Sequence, residues 1–285
     1  MDQLIGEAMR GAITNDVVTD GAQTLRRGLR ILKVLARSQA DGLGVSEIAR
    51  RMDLTKTTAV RLTRTLLDER FVVQDPATRR YRLGPEAYAV GLAAEPSYAI
   101  QRVAAPVLRS LALETGDWIF FTVRHGLEAI CISRASANKQ YPQSALRVGD
   151  RHPLGLGVGG LAILAAMPDE EVESIIRANA DRYGAVYTHM SADIVRKQVV
   201  ETRARGYAFI PGTLAPGFWG IAVPLLQEDG HPIAAIVLVS TPARLSDARR
   251  AALGDRMQKL GKEVMNNARV SSDDSPDESI FHQAD

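Results

Sequence analysis

Apolar positions recur at helical spacing in "QTLRRGLRILKVLARS", where Leu25, Leu29, Leu32 and Leu35 share a stripe and Arg26, Arg27, Arg30 and Lys33 lie largely outside it. This pattern predicts a first helix that meets a core through its leucines. A polar break, "SQADGLG", precedes "SEIARRM", a short second helix with Ser46 as its expected cap and Ile48 and Met52 inward. After the turn "DL", the run "TKTTAVRLTRTLLDER" predicts a third helix capped by Thr55, with Ala59, Leu62 and Leu66 buried. Two short strands, Phe71–Gln74 and Tyr81–Leu83, then flank a turn on Asp75 and Pro76.

Beyond Gly84 the pattern changes character. "PEAYAVGLAAEPSY" is an alanine-rich segment broken by Pro96, and "YAIQRVAAPVLRSLALETG" reads as a helix stopped by Gly116. "DWIFFTVR" and "EAICISRA" are strands around the turn "HGLE". An apolar helical run follows the glycines of "HPLGLGVGGLAILAA"; after it come the amphipathic "DEEVESIIRANA" and "SADIVRKQVVETRARG", the latter capped by Ser191 and stopped by Gly206. "FWGIAVPLLQ" and "HPIAAIVLVS" form a second hairpin through "EDG", and a final helix runs from about Asp247 to Ala268. An α+β protein with a largely antiparallel sheet in its second part is predicted.

Charge distribution sharpens this picture more than composition does. Net charge is +2 over 285 residues, yet Gly21 to Leu83 holds 14 Lys and Arg against 6 Asp and Glu, an excess of +8 that leaves the rest near −6. A basic head suits a module that meets phosphates, because counterion release supplies most sequence-independent affinity for DNA. On the third helix, Lys56, Thr57, Thr58, Arg61 and Arg64 lie opposite the buried stripe, and Arg79 and Arg80 stand near the hairpin tip. Short hydroxyls and long cations on such a helix can reach base edges in a major groove, so these elements predict a winged helix-turn-helix.

The remaining chemistry is mostly exclusion. The single cysteine, Cys131, rules out an intrachain disulfide framework and reads as a small buried hydrophobe. The uncharged stretch Leu154 to Met167 is glycine-broken and shorter than the roughly 20 apolar residues of a membrane span. With no basic, apolar leader at the N-terminus, a cytoplasmic location is expected. None of the five histidines belongs to a metal-binding or catalytic motif, so neither catalysis, cofactor nor metal is expected. The glycines at 155, 157 and 160 spell a G-x-G-x-x-G, but the preceding "LRVGDRHP" is charged and ends in proline, which disfavours a dinucleotide site. An enzyme or nucleotide-binding protein with an incidental basic head is the competing reading.

Three stretches carry a resemblance. "QTLRRGLRILKVLA", "VSEIARRMDLTKTTAVRLTRTLL" and "RRYRLGPEAYAVG" resemble the N-terminal domain of the IclR family of bacterial transcriptional regulators. "RVGDRHPLGLGVGGLAILAAMPD", "RARGYAFIPGTLAPGFWGIAVPL" and "HPIAAIVLVSTPARL" extend that likeness to about Asn267. It implies a winged helix-turn-helix over 21–84, a dimerising linker helix over 85–97 and a GAF-like effector domain over 98–269, between tails at 1–20 and 270–285 expected to be disordered. The implied partners are a double-stranded DNA operator, a small organic or aromatic acid, and further copies of the chain as a homodimer or dimer of dimers, with catabolic genes as targets. Carried onto this sequence, the effector residues are Val158, Gly159, Gly160, Ile210, Thr213, Gly220, Leu238 and Ser240. The family's loop usually carries a histidine and a lysine where this chain has Gly155 and Leu161, and Phe218 and Trp219 lie nearby. An effector with a hydrophobic body and one carboxylate, held largely by backbone N–H groups, is therefore expected.

Overall fold

The computed structural model describes residues 22–38, 41–93, 99–137, 146–212 and 217–273. They divide into two compact units, one built mainly on 22–93 and the other on 99–273. Expectations for residues 1–20, 94–97 and 274–285 fall outside the described residues.

In the smaller unit, α1 (Gln23–Ala36), α2 (Val45–Met52) and α3 (Lys56–Asp68) precede a hairpin of β1 (Val72–Gln74) and β2 (Tyr81–Leu83), then α4 (Pro85–Ala93). Its core is Ile31, Leu35, Leu43, Ile48, Met52, Leu62, Val72 and Tyr81. Two local expectations are corrected. Leu25 and Leu29 are 65% and 50% exposed, because α1 reaches the core only through its second half, where Ile31 and Leu35 are buried. α2 begins one residue before Ser46, with Gly44 as an N-cap that makes no side-chain hydrogen bond. The Thr55 cap holds: its hydroxyl accepts the N–H of Thr58 at 3.2 Å. Asp53 turns α2 into α3 with φ 52°, a left-handed conformation that aspartate tolerates better than most side chains.

The larger unit wraps helices around both faces of a six-stranded sheet. In chain order it contains α5 (Ala99–Thr115), β3 (Trp118–His125), β4 (Glu128–Ser136), β5 (Arg151–Pro153), α6 (Gly157–Ala165), α7 (Asp169–Val186), α8 (Ala192–Arg205), β6 (Ala208–Pro211), β7 (Trp219–Leu226), β8 (Pro232–Ser240) and α9 (Asp247–Asp273). The strand order is β5-β4-β3-β8-β7-β6, and every pairing is antiparallel. The short edge strands β5 and β6 carry no sequence periodicity of their own. The last helix also continues to Asp273, so 270–273 belong to it rather than to a tail.

Side chains alternate strictly across β3. Phe120 enters one core with α6, α7 and α8, while Ile119 and Phe121 enter another with α5 and α9. All three are fully buried, each stabilising the fold by about 1.5–3 kcal/mol relative to exposure. A buried carboxylate ties the second layer together: Asp117 accepts a hydrogen bond from Ser240 Oγ at 2.6 Å and pairs with Arg249 at 2.8 Å and Arg244 at 3.1 Å.

Candidate nucleic-acid interface and ligand loop

α3 separates its chemistry by face. Ala59, Leu62 and Thr63 point into the core, and the Thr63 hydroxyl satisfies itself on the Ala59 carbonyl at 2.8 Å. Lys56, Thr57, Arg61 and Arg64 are exposed on the other side. None of these three cations has a carboxylate partner among the described residues, and the first turn of α3 carries no acid. Phosphate is favoured there both by the guanidinium groups and by the positive end of the helix dipole. Thr58 is half-buried, with its hydroxyl 2.9 Å from that of Thr55, so it serves the cap first.

The hairpin is fixed by its turn. Val72, Val73 and Gln74 pair with Leu83, Arg82 and Tyr81, and the Asp75 carboxylate accepts the N–H groups of Ala77 at 3.0 Å and Thr78 at 2.8 Å. The bond from Thr78 in particular holds that carboxyl below the usual carboxylate range. Arg79 sits at the tip with φ 56°, exposed, its carbonyl accepting a hydrogen bond from Gln74 Nε2 at 3.0 Å.

Arg80 departs from its expected role. Its Nε donates to the carbonyls of Asp41 at 3.0 Å and Gly42 at 3.1 Å, its second terminal nitrogen donates to Gly42 at 2.8 Å, and Glu47 lies 3.8 Å away. The side chain folds back onto the segment leading into α2, where Leu43 and Tyr81 also exchange backbone hydrogen bonds of 3.0 and 2.8 Å. Arg80 is thus a brace between wing and helix-turn-helix.

The glycines of the loop allow close packing. Gly155 has φ 96°, and a Cβ there would lie 2.6 Å from a methyl of Val195. At Gly159 it would meet Val237 at 2.8 Å, and at Gly220 it would meet Val158 at 2.8 Å. α6 therefore rests on the sheet with almost no clearance. The strand before it, β5, is an antiparallel edge strand, so the βαβ unit of a dinucleotide fold is absent from the described residues.

α6 is fixed at its far end and open at its near end. The Arg203 guanidinium donates to the carbonyls of Ala165 at 2.8 Å and Met167 at 2.6 Å and pairs with Asp169, capping the C-terminus with positive charge. Tyr183 donates to the Leu154 carbonyl at 2.8 Å, and burial pushes its phenol up to about 12. At the N-terminus the cap residue is Leu156, which offers no side-chain acceptor. First-turn N–H groups are left without a side-chain cap there.

The expected effector residues do not all converge. Val158 and Ile210 belong to the α6-side core, and Gly159, Gly160 and Gly220 lie against that same layer. Leu238 and Ser240 face the other way: Leu238 packs with the α5 and α9 core, and Ser240 is bound to Asp117. The β8 residues on the α6 side are Val237 and Val239, one position removed. Thr213 lies outside the described residues. Phe218 presents its ring edge-on to Trp118 at 5.4 Å beside this layer, whereas Trp219 packs against Phe209 at 5.5 Å on the opposite one. Sequence reasoning missed Trp118 and Val239; extending the two-residue alternation of β3 and β8 to their ends would have found both.

Among the described residues no cluster of three or more His, Cys, Asp or Glu could hold a metal ion, and no helix is long and apolar enough to cross a membrane.

Known proteins share this arrangement. Residues 24–76 match the IclR helix-turn-helix domain, and residues 93–266 match the bacterial transcriptional regulator IclR C-terminal domain. The transcriptional repressor IclR of Escherichia coli K12 is 28% identical over 258 residues, 89% of this chain and 92% of that protein. A crystal structure of an IclR-type transcriptional regulator from Alicyclobacillus acidocaldarius superposes with a TM-score of 0.67 at 25% identity, covering 86% of this chain and 98% of its own. An IclR homologue from Microbacterium hydrocarbonoxydans, solved in complex with 4-hydroxybenzoate, gives the same TM-score at 21% identity, covering 87% and 100%.

Proposed function

The chain belongs to the IclR family of bacterial transcriptional regulators, as a DNA-binding protein with an effector domain and not an enzyme, and on that premise we propose that it represses catabolic genes until a small carboxylic acid with an apolar or aromatic body binds beside α6. The cation face of α3 carries the DNA half of this reading. Lys56, Thr57, Arg61 and Arg64 enter the major groove, Thr58 supports them through the cap, and Arg79 meets the flanking backbone. Repression is supported by the name of the Escherichia coli relative. The protein works in the cytoplasm, where its operator lies.

Self-association is supported by apolar surface in the smaller unit. Tyr88, Val90 and Leu92 on α4 are all exposed, as are Leu25 and Leu29 on α1. A homodimer, alone or paired into a tetramer, buries such surface and presents two recognition helices to a pseudo-palindromic operator.

The effector reading rests on the apolar residues beside α6. Val158, Ile210 and Val239 with Trp118 and Phe218 supply an apolar wall, and Gly159, Gly160 and Gly220 bring backbone close to it. The 4-hydroxybenzoate carried by the Microbacterium homologue supports an aromatic acid for this chain as well. Footprinting on the DNA upstream of the chain's own gene and its neighbours, with and without such acids, tests the whole reading. Salt-sensitive protection that an acid relieves is expected; no protection at any salt concentration would sink it.

A further inference from the structure

The register of β4 shifts once, and the shift relocates one charge. Phe121 pairs with Ser133 but Thr122 pairs with Cys131, so Ile132 is an extra residue on β4. Cys131 belongs to the α6-side core. Uninterrupted alternation would then place Ser133 on that side and Arg134 on the other. The bulge reverses this order. Ala135, opposite Ile119, packs into the α5 and α9 core, whereas Arg134 stands opposite Phe120, a member of the α6-side core.

We propose that Arg134 is the cation that selects an acid at the α6 face, a specificity residue of the effector site on which this inference rests. Trp118 lies on the same face as Phe120, two residues along β3, and is therefore a diagonal neighbour of Arg134, about 7–8 Å away and within reach of a long side chain. Phe218 meets Trp118 edge-on, and Val239 is the β8 partner of Trp118. A planar guanidinium beside an aromatic and aliphatic wall fits a molecule with one carboxylate and an apolar body, because the guanidinium binds carboxylate through two parallel hydrogen bonds. Leu161 leaves α6 without a lysine. The charge needed to discriminate acid from neutral analogue comes instead from the neighbouring strand.

The test is calorimetric titration of the full chain with benzoate, phenylacetate and hexanoate, each beside its neutral amide. The wild type is expected to prefer at least one acid over its amide by about tenfold or more, the usual worth of a charge-assisted hydrogen bond. Arg134→Gln should abolish that preference by lowering acid affinity to that of the amide. Arg134→Lys should restore most of it. An unchanged acid-to-amide ratio in Arg134→Gln overturns the assignment, and a wild type that binds amides as well as acids overturns it while leaving the pocket. A wild type that binds none of the six compounds overturns the effector reading and Arg134 with it.

Discussion

α3 and α6 both start with N–H groups that no acidic side chain meets, yet their surroundings give those ends different uses. α3 is half in water, with cations at 56, 61 and 64 around a short apolar stripe. α6 is buried from Val158 to Ala165 and has no charged residue. A helix terminus offers the same partial charge in each case. On the proposed reading, what each end receives is decided by the nearby side chains: a polyanion where guanidinium groups stand in solvent, a small molecule with an apolar body where the neighbours are valine and tryptophan.

The sharpest way to break this contrast is to fill a glycine under α6. Gly155→Val adds a side chain where φ is 96° and a methyl already lies 2.6 Å away, so it should destabilise the larger unit by about 3 kcal/mol or more. Denaturant unfolding would measure this, and a wild-type midpoint would show that the loop is looser than described. On α3 the effect should be functional. Arg61→Ala is expected to weaken operator binding by roughly 1–3 kcal/mol with unchanged stability. Equal affinity for operator and random DNA before and after the substitution would rotate the proposed face away from the groove.

The smallest expected effects separate neighbouring arginines. Arg79→Ala should lower affinity for all DNA and reduce the salt slope by about one. Arg80→Ala removes three hydrogen bonds to backbone carbonyls, so it should cost about 1–3 kcal/mol of stability in the smaller unit and leave the slope as it was. If Arg80→Ala flattens the slope instead, the brace opens to take a phosphate.

Legibility followed the range of the interactions involved. The Thr55 cap, the Asp75 turn, the Ser191 cap and the Gly206 stop are fixed within three or four residues, and all were readable in the sequence. The α1 stripe was misread because periodicity shows which positions share a face, not how far the underlying core extends. That Leu238 and Ser240 face a different layer from Val158 and Ile210 was not readable because "PIAAIVLVS" is apolar on both faces, and a central strand buried twice gives no polar alternation to set its phase. Nor does the sequence mark the bulge that turns Arg134, or show that Arg80 would find carbonyls 38 and 39 residues away.

The missing clearance beneath α6 also limits how this chain can evolve. Any residue larger than glycine at 159 must displace Val237 or Thr122, at 220 it must displace Val158, and at 155 it must also strain the backbone. If the effector binds as proposed, new ligand preferences are reached by exchanging side chains beyond the glycine contacts, such as Trp118, Phe218 and Val239, while the floor stays as it is. The glycines hold the architecture constant so that the wall can vary.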